Sequence, residues 1–301
     1  MTKQHDPAGN LPLVPFTFLG LGGKTHTFDS APVVVLPVPY DATASFKAGA
    51  RDGPYAIITS SRELEDYDIE LGCEPSSMGI FTAPALEPNL GSPQLMVERV
   101  AQAVSHFTAQ GQLLAMLGGD HSITIGGVTA LAATHDNLSV LYLDAHADFR
   151  DEYLGTRWGH ASAARRVSEV CPTTLVGVRS LSTEEANALK DSKVRLFPAQ
   201  ADGVVAIDAI NDSLSERVYV SVDLDVLDPS FMPTVGTPEP GGLGWHDVVG
   251  LLRQVAERHT IVGFDVVELV PQEGPAAAAY IAAKLVYKLI GYSTVLGPSV
   301  R

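Results

Sequence analysis

From about residue 31 onward, the chain alternates short β-branched apolar runs with longer stretches in which apolar residues recur every three or four positions. The short runs predict strands at Val33–Val38, Met78–Phe81, Leu113–Leu117, Ser139–Leu143, Thr174–Val178, Val194–Phe197, Val218–Val222 and Ile261–Val266. The longer stretches predict amphipathic helices at Pro93–Gln110, Thr183–Lys190, His246–Arg258 and Pro275–Ile290, and the residues after Ser122 also read as helical. Runs such as Val33-Val34-Val35-Leu36 are apolar at consecutive positions, which suits strands buried on both faces of a parallel sheet covered by helices. Repeated βα units imply right-handed crossovers and a three-layer α/β/α sandwich on a mostly parallel sheet of about eight strands. Residues 1–30, rich in Gly, Pro and Thr, are expected to form an irregular arm, and residues 31–301 a single domain.

Composition narrows the functional classes. With 46% hydrophobic and 18% charged residues over 301 positions, the chain can bury a large core. A formal net charge of −15 argues against nucleic acid or an anionic membrane as partner and is compatible with a cationic substrate. Cys73 and Cys171 make neither a disulfide framework nor a thiolate zinc site. No run approaches the roughly 18 apolar residues of a membrane span. Met1–Pro15 lacks the basic-then-apolar order of a signal peptide, so a cytoplasmic location is expected.

The candidate chemistry lies where three expected strands end. Leu113–Leu117 runs into Gly118-Gly119-Asp120-His121, Ser139–Leu143 into Asp144-Ala145-His146-Ala147-Asp148, and Val218–Val222 into Asp223-Leu224-Asp225. Ligands of open α/β sheets bind beyond the carboxyl ends of the strands. Extended backbone would turn Asp144, His146 and Asp148 to one side, and Asp223 with Asp225 likewise. Two glycines let His121 reach in, while Asp120 and Ser122 read as outer support or a helix N-cap. Taken singly, each motif is equally at home in a loop, a cap or a structural hydrogen bond. In this order and placement they read as a binuclear centre whose four carboxylates would neutralise two divalent cations. Such a pair can polarise a bridging water to hydroxide near neutral pH, the equipment of a hydrolase. Carboxylate and imidazole donors without thiolate suit Mn²⁺ first, and do not exclude Zn²⁺, Co²⁺ or Ni²⁺.

With these motifs, the chain resembles the ureohydrolase family of agmatinases and arginases, which release urea from guanidino compounds. The resemblance begins at Pro39-Tyr40-Asp41 and Gly49-Ala50-Arg51-Asp52-Gly53-Pro54 and runs through the three metal motifs. It continues with Asp228-Pro229 and Gly236-Thr237-Pro238-Glu239-Pro240-Gly241-Gly242, and ends at Gly263-Phe264-Asp265-Val266-Val267-Glu268. It implies two Mn²⁺ ions bridged by Asp144 and Asp223, with His121 and Asp148 completing one site and His146 and Asp225 the other. It further implies that the bridging hydroxide attacks the guanidinium carbon and that Asp148 passes a proton to the departing amine. His160 would be a mobile proton shuttle, with a packing role as its alternative, and Glu268 would pair with the guanidinium. A trimeric or hexameric homo-oligomer is expected on the same ground.

The substrate is less determined. Arginases carry a Ser-Gly-Asn stretch that holds the amino-acid end of arginine, and Gly155-Thr156-Arg157-Trp158-Gly159-His160 lacks it. The segment from Asp148 to Ser162 is similar to agmatinases, with Trp158-Gly159 and Thr234-Val235 as departures. Agmatine, hydrolysed to putrescine, is the first expectation, ahead of aminopropylagmatine, guanidinobutyrate and guanidine. Asp151, Glu152, Arg157 and Trp158 are candidate substrate contacts: Asp151 and Glu152 would favour a cationic tail and Arg157 an acidic one, while solvated loop charges are the alternative for all three. From other classes, a non-catalytic regulatory paralogue and a binuclear phosphoesterase compete. Glu268 argues against the second, because a carboxylate aimed at the substrate repels phosphate.

Overall fold

A computed structural model describes residues 13–200 and 205–298. Part of the expected arm, residues 1–12, lies outside the described residues; residues 13–30 carry only two short 3-10 turns, Phe18–Gly20 and Lys24–His26, and Phe18 is fully buried.

Eight strands form one sheet: β1 Val33–Val38, β2 Ile80–Thr82, β3 Leu113–Gly118, β4 Leu138–Leu143, β5 Thr173–Val176, β6 Arg195–Phe197, β7 Arg217–Asp223 and β8 Thr260–Val267. Every pairing is parallel, in the order β2-β1-β3-β8-β7-β4-β5-β6. Alternating side chains then separate two cores. Val33 and Val35 of β1 join Ile57, Leu251 and Val286, whereas Val34, Leu36 and Val38 join Val100, Val128 and Val167. Helices α1 (Gly53–Ser61), α6 (Ile207–Asp212), α7 (Trp245–Arg258) and α8 (Ala277–Gly291) therefore cover one face. Helices α2 (Pro93–Phe107), α3 (Ile123–Ala132), α4 (Ala163–Ser168) and α5 (Thr183–Lys190) cover the other, giving the three expected layers.

Boundaries move where the backbone needs a positive φ. Gly79 has φ 107 and ends the 3-10 turn Pro75–Met78, so β2 begins at Ile80 rather than Met78. Gly177 has φ 93 and stops β5 at Val176. Helix α2 ends at Phe107 rather than Gln110. Helices α1, α4 and α6 were not expected from the pattern; α4 and α6, at six residues each, are too short to show a helical period, and α1 opens on Gly53-Pro54 and carries the β-branched run Ile57-Ile58-Thr59. Among the described residues no helix is long and apolar enough to cross a membrane.

The chain lays down β1 to β3 toward one edge and β4 to β6 toward the other, then returns to fill the middle with β7 and β8. The direction of winding switches at this centre, and the ends of β3, β8, β7 and β4 stand side by side there.

Candidate active site

Each of those four central strands delivers one part of the site. His121 follows β3, Glu268 follows β8, Asp223 closes β7 and leads to Asp225, and Asp144 follows β4. Gly119 makes the first of these possible: a Cβ there would stand 1.8 Å from the Tyr40 carbonyl oxygen, so any side chain would push the His121 loop outward.

His121 Nδ1 lies 3.0 Å from Asp144 Oδ2, 3.2 Å from Asp223 Oδ2 and 3.4 Å from Asp148 Oδ2. His146 Nδ1 lies 2.9 Å from Asp225 Oδ2 and 3.5 Å from Asp144 Oδ1. Asp144 thus turns one oxygen to each imidazole. Two ligand sets result, His121/Asp144/Asp148 and Asp144/His146/Asp225, with donor atoms within 4.8 Å of one another in each. Asp223 reaches the first set through Oδ2, and its Oδ1 caps the turn Leu224–Val226 by accepting from the Asp225 N–H at 2.8 Å.

The side chains converge, though not by strand alternation. β4 stops at Leu143, and Asp148 sits in a left-handed turn at φ 49, with its carbonyl accepting from Arg165 N at 3.2 Å. Asp225 lies in a 3-10 turn rather than on extended backbone. Loop hydrogen bonds, among them His146 N–H to Asp144 Oδ1 at 2.6 Å and Ala145 N–H to Asp225 Oδ1 at 2.9 Å, do the aiming.

The charge balance of this cluster tests whether it suits cations. Asp144, Asp148, Asp223, Asp225 and His121 are all buried, and among the described residues no Lys or Arg pairs with any of the four carboxylates. Burial, then repulsion from Asp144, raises the pKa of Asp148 and Asp225; burial with Asp225 and Asp144 raises that of Asp223. Burial opposes a charge on the imidazoles, yet Asp144 and Asp223 hold His121 well above its usual value, and Asp144 and Asp225 push His146 up to about 12. Four buried carboxylates cannot all ionise on two imidazoles alone. Moreover, His121 Nδ1 and Asp144 Oδ2 face each other with no hydrogen bond made by either. Divalent cations would supply both the missing charge and the missing partner, so the donor set fits a binuclear metal site.

Around it, Tyr142 stacks on the His121 ring with centroids 4.2 Å apart and donates to Asp148 Oδ2 at 2.8 Å. Ser122 makes no cap of its own; its N–H and hydroxyl both donate to Asp120 Oδ1. Asp120 Oδ2 accepts from Thr43 N–H and Oγ1 at 3.0 and 2.9 Å, and Thr43 Oγ1 accepts from His160 N–H at 3.0 Å. The ring of His160 stands between Thr43 Oγ1 at 3.3 Å and Ser45 Oγ at 3.2 Å, and burial lowers its pKa, with Asp120 opposing in part. Glu268 has φ 66; its N–H donates to Gly119 O, and its Oε1 accepts from His121 N–H at 2.8 Å. Burial and the nearby Asp120 push its carboxyl up to about 8.

A cavity of about 320 Å³ opens onto His146, Asp148 and His160, with Ser45, Arg150, Tyr153, Ser180, Ser182, Glu185 and Thr237 among its walls. Asp151, Arg157 and Trp158 do not line it, and neither does Glu268, whose Oε2 lies 3.8 Å from where a Cβ on Gly236 would stand, next to the wall residue Thr237. Asp151 Oδ1 is held at 2.9 Å by both Arg157 and Arg166, because α4 places its arginines on that side, and Trp158 packs against the core under α2 to α5. Arg150, whose guanidinium lies 4.8 Å from the Tyr153 ring centroid, is the cation at the cavity instead. Glu185 went unnoticed in the sequence although Ser182-Thr183-Glu184-Glu185 has the spacing of a capping box, which α5 forms.

The Arginase family model matches residues 31–291. The chain belongs to the arginase family. It is 38% identical over 288 residues to an N(1)-aminopropylagmatine ureohydrolase of Synechocystis, covering 92% of this chain and 94% of the relative. A second N(1)-aminopropylagmatine ureohydrolase, from Thermus thermophilus, is 42% identical over 278 residues, covering 91% and 94%. Among solved structures, the agmatine ureohydrolase of Thermoplasma volcanium matches with a TM-score of 0.80 at 32% identity, covering 89% of this chain and 92% of that one. As an arginase-family member the chain is a ureohydrolase, a hydrolase of guanidino compounds, and the phosphoesterase reading falls away.

Proposed function

We propose that this ureohydrolase uses two Mn²⁺ ions and acts on aminopropylagmatine in preference to agmatine, reversing the order expected from sequence. The observation that carries the preference is the naming of both curated relatives above, similar over nine-tenths of this chain, as aminopropylagmatine ureohydrolases. The cavity charges do not carry the preference, because Glu185 Oε2 lies 3.9 Å from Arg150 Nε and both its oxygens accept from Phe149 and Ser182, so acid and base in that wall offset each other.

Asp144 and Asp223, with His121 and Asp148 and with His146 and Asp225, would hold the two ions. When bound, the ions would activate water for attack on the guanidinium carbon and offset the charge that develops. The arriving guanidinium draws the carboxyl of Glu268 back down from about 8, so that Glu268 releases its proton to solvent and orients the substrate through a charge-assisted contact. As the carbon–nitrogen bond breaks, Asp148 passes a proton to the departing amine, so that urea and a protonated amine leave. His160, neutral near neutral pH because its pKa is lowered, accepts a proton at one ring nitrogen and returns it by way of Thr43 or Ser45. Assembly into trimers or hexamers belongs to the same proposal; sedimentation of the active protein as a stable monomer would remove it.

The test is urea release with Mn²⁺ from aminopropylagmatine, agmatine, guanidinobutyrate, arginine and guanidine. Aminopropylagmatine should give the highest kcat/KM. Arginine should fall roughly a hundredfold or more below it, since its carboxylate and amine would be desolvated without dedicated partners. Arginine as best substrate would overturn the proposal, and guanidinobutyrate as best would point to Arg150 as a carboxylate partner. For the proton carrier, His160→Asn should retain both metals while turnover falls roughly ten- to a thousandfold. Unchanged turnover would make His160 a packing residue.

A further inference from the structure

Asp265, on β8, is fully buried, lies outside the cavity walls and has no part in the chemistry above. Its Oδ1 accepts from Ser221 Oγ at 2.7 Å, and its Oδ2 from Tyr219 OH at 2.7 Å and Thr124 Oγ1 at 2.8 Å. Ser221, two residues before Asp223 on β7, also lies 2.8 Å from His121 Nε2. A continuous chain therefore runs from a ligand imidazole through one hydroxyl to a carboxylate, joining β3, β7 and β8.

The direction of this chain follows from donor counting. An ionised carboxylate only accepts, and a serine hydroxyl has one hydrogen to give. Once Ser221 gives it to Asp265, its oxygen can only accept from His121, so Nε2 must carry the ring hydrogen. In the neutral ring that a metal ion requires, the lone pair is then on Nδ1, the nitrogen that faces Asp144, Asp148 and Asp223 and makes no hydrogen bond. Burial raises the pKa of Asp265, and the hydroxyls of Ser221, Tyr219 and Thr124, all aimed at the carboxylate, oppose that rise by donating to its ionised form.

We propose that Asp265 is a positioning residue that acts through Ser221 to fix His121 as its Nε2–H tautomer, and so sets the affinity of the metal ion that His121 holds. Histidine ligands commonly direct their second nitrogen to a carboxylate or carbonyl, which fixes the tautomer and ring orientation and raises ligand basicity. In this chain a serine stands between the two, so removing only that hydroxyl leaves both His121 and Asp265 in place. The inference rests on the binuclear metal reading given above.

The experiment is calorimetric titration of the metal-free full-length protein with Mn²⁺, run beside its thermal denaturation. Ser221→Ala and Asp265→Asn should weaken one of the two Mn²⁺ ions by roughly ten- to a hundredfold, the usual worth of an outer-shell partner, and leave the other unchanged. Tyr219→Phe removes a donor to Asp265 without touching Ser221 or His121; it should lower the metal-free Tm and leave both affinities as they were. If Asp265→Asn does not fold, Ser221→Ala decides alone. A folded Ser221→Ala protein with two unaltered affinities would overturn the proposal, as would equal loss of both ions together with a large fall in metal-free Tm. A wild-type protein that binds no pair of Mn²⁺ ions would instead defeat the metal reading itself.

Discussion

Replacing Asp225 by alanine is expected to abolish nearly all urea release while the chain stays folded. Asp225 is 2% exposed, and its two oxygens have separate tasks: Oδ2 stands 2.9 Å from His146 Nδ1, and Oδ1 accepts the Ala145 N–H. Without it, the His146 set retains only Asp144 as a carboxylate, and the loop carrying Asp144 and His146 loses an anchor. A site short of one anionic ligand holds its ion poorly, so the charge developing during attack goes unsupported. Loss of a single electrostatic stabiliser costs about a hundred- to a thousandfold in turnover, which serves as the lower bound here. The fold should survive because Asp223 still caps the turn and only one buried N–H is orphaned, at about 1–3 kcal/mol. Metal content by emission spectroscopy and urea release on the same sample check this. An Asp225→Ala protein with two bound metals and full activity would reject the assignment.

The sequence makes the metal donors legible because they sit in short segments directly after apolar runs, and parallel strands ending side by side bring such segments together. Why they converge was not legible. Strand alternation was the simple expectation, but the φ of 49 at Asp148 and the 3-10 turn at Asp225 depend on loop hydrogen bonds with partners such as Arg165, remote in sequence from strand β4. The substrate side was harder still. Asp151 and Arg157 stand close to His160 in sequence, yet Arg166 on a helix too short to announce itself draws Asp151 aside, while Arg150 reaches the cavity. Asp265 was inside a recognisable motif and Ser221 inside an expected strand, but their link to His121 joins three strands and has no sequence spacing of its own. Local pattern fixes what one segment does; relations among segments have to be seen in space.

Glu268→Gln should cut kcat/KM severely while both metal ions remain bound. Glu268 sits in a left-handed conformation, with its N–H on Gly119 O and its Oε1 on the His121 N–H, so backbone contacts from both sides fix where the carboxylate points. Its Oε2 lies 3.8 Å from where a Cβ on Gly236 would stand, beside Thr237 of the cavity wall, and the glycine leaves that space open. Glutamine keeps the shape and can still accept from His121 through its carbonyl oxygen, which should preserve the loop and the metal ligand it carries. It cannot keep the charge, and it turns an amide donor toward a guanidinium that is itself all donor. Removing one member of a buried charge pair costs about 2–5 kcal/mol, which is roughly thirtyfold to a few thousandfold in kcat/KM. If Glu268 serves only to hold the substrate, KM will carry the loss; if it also aligns the guanidinium carbon for attack, kcat will fall as well. Metal analysis of the variant separates this from damage to His121, and an unaltered kcat/KM would remove Glu268 from the substrate site.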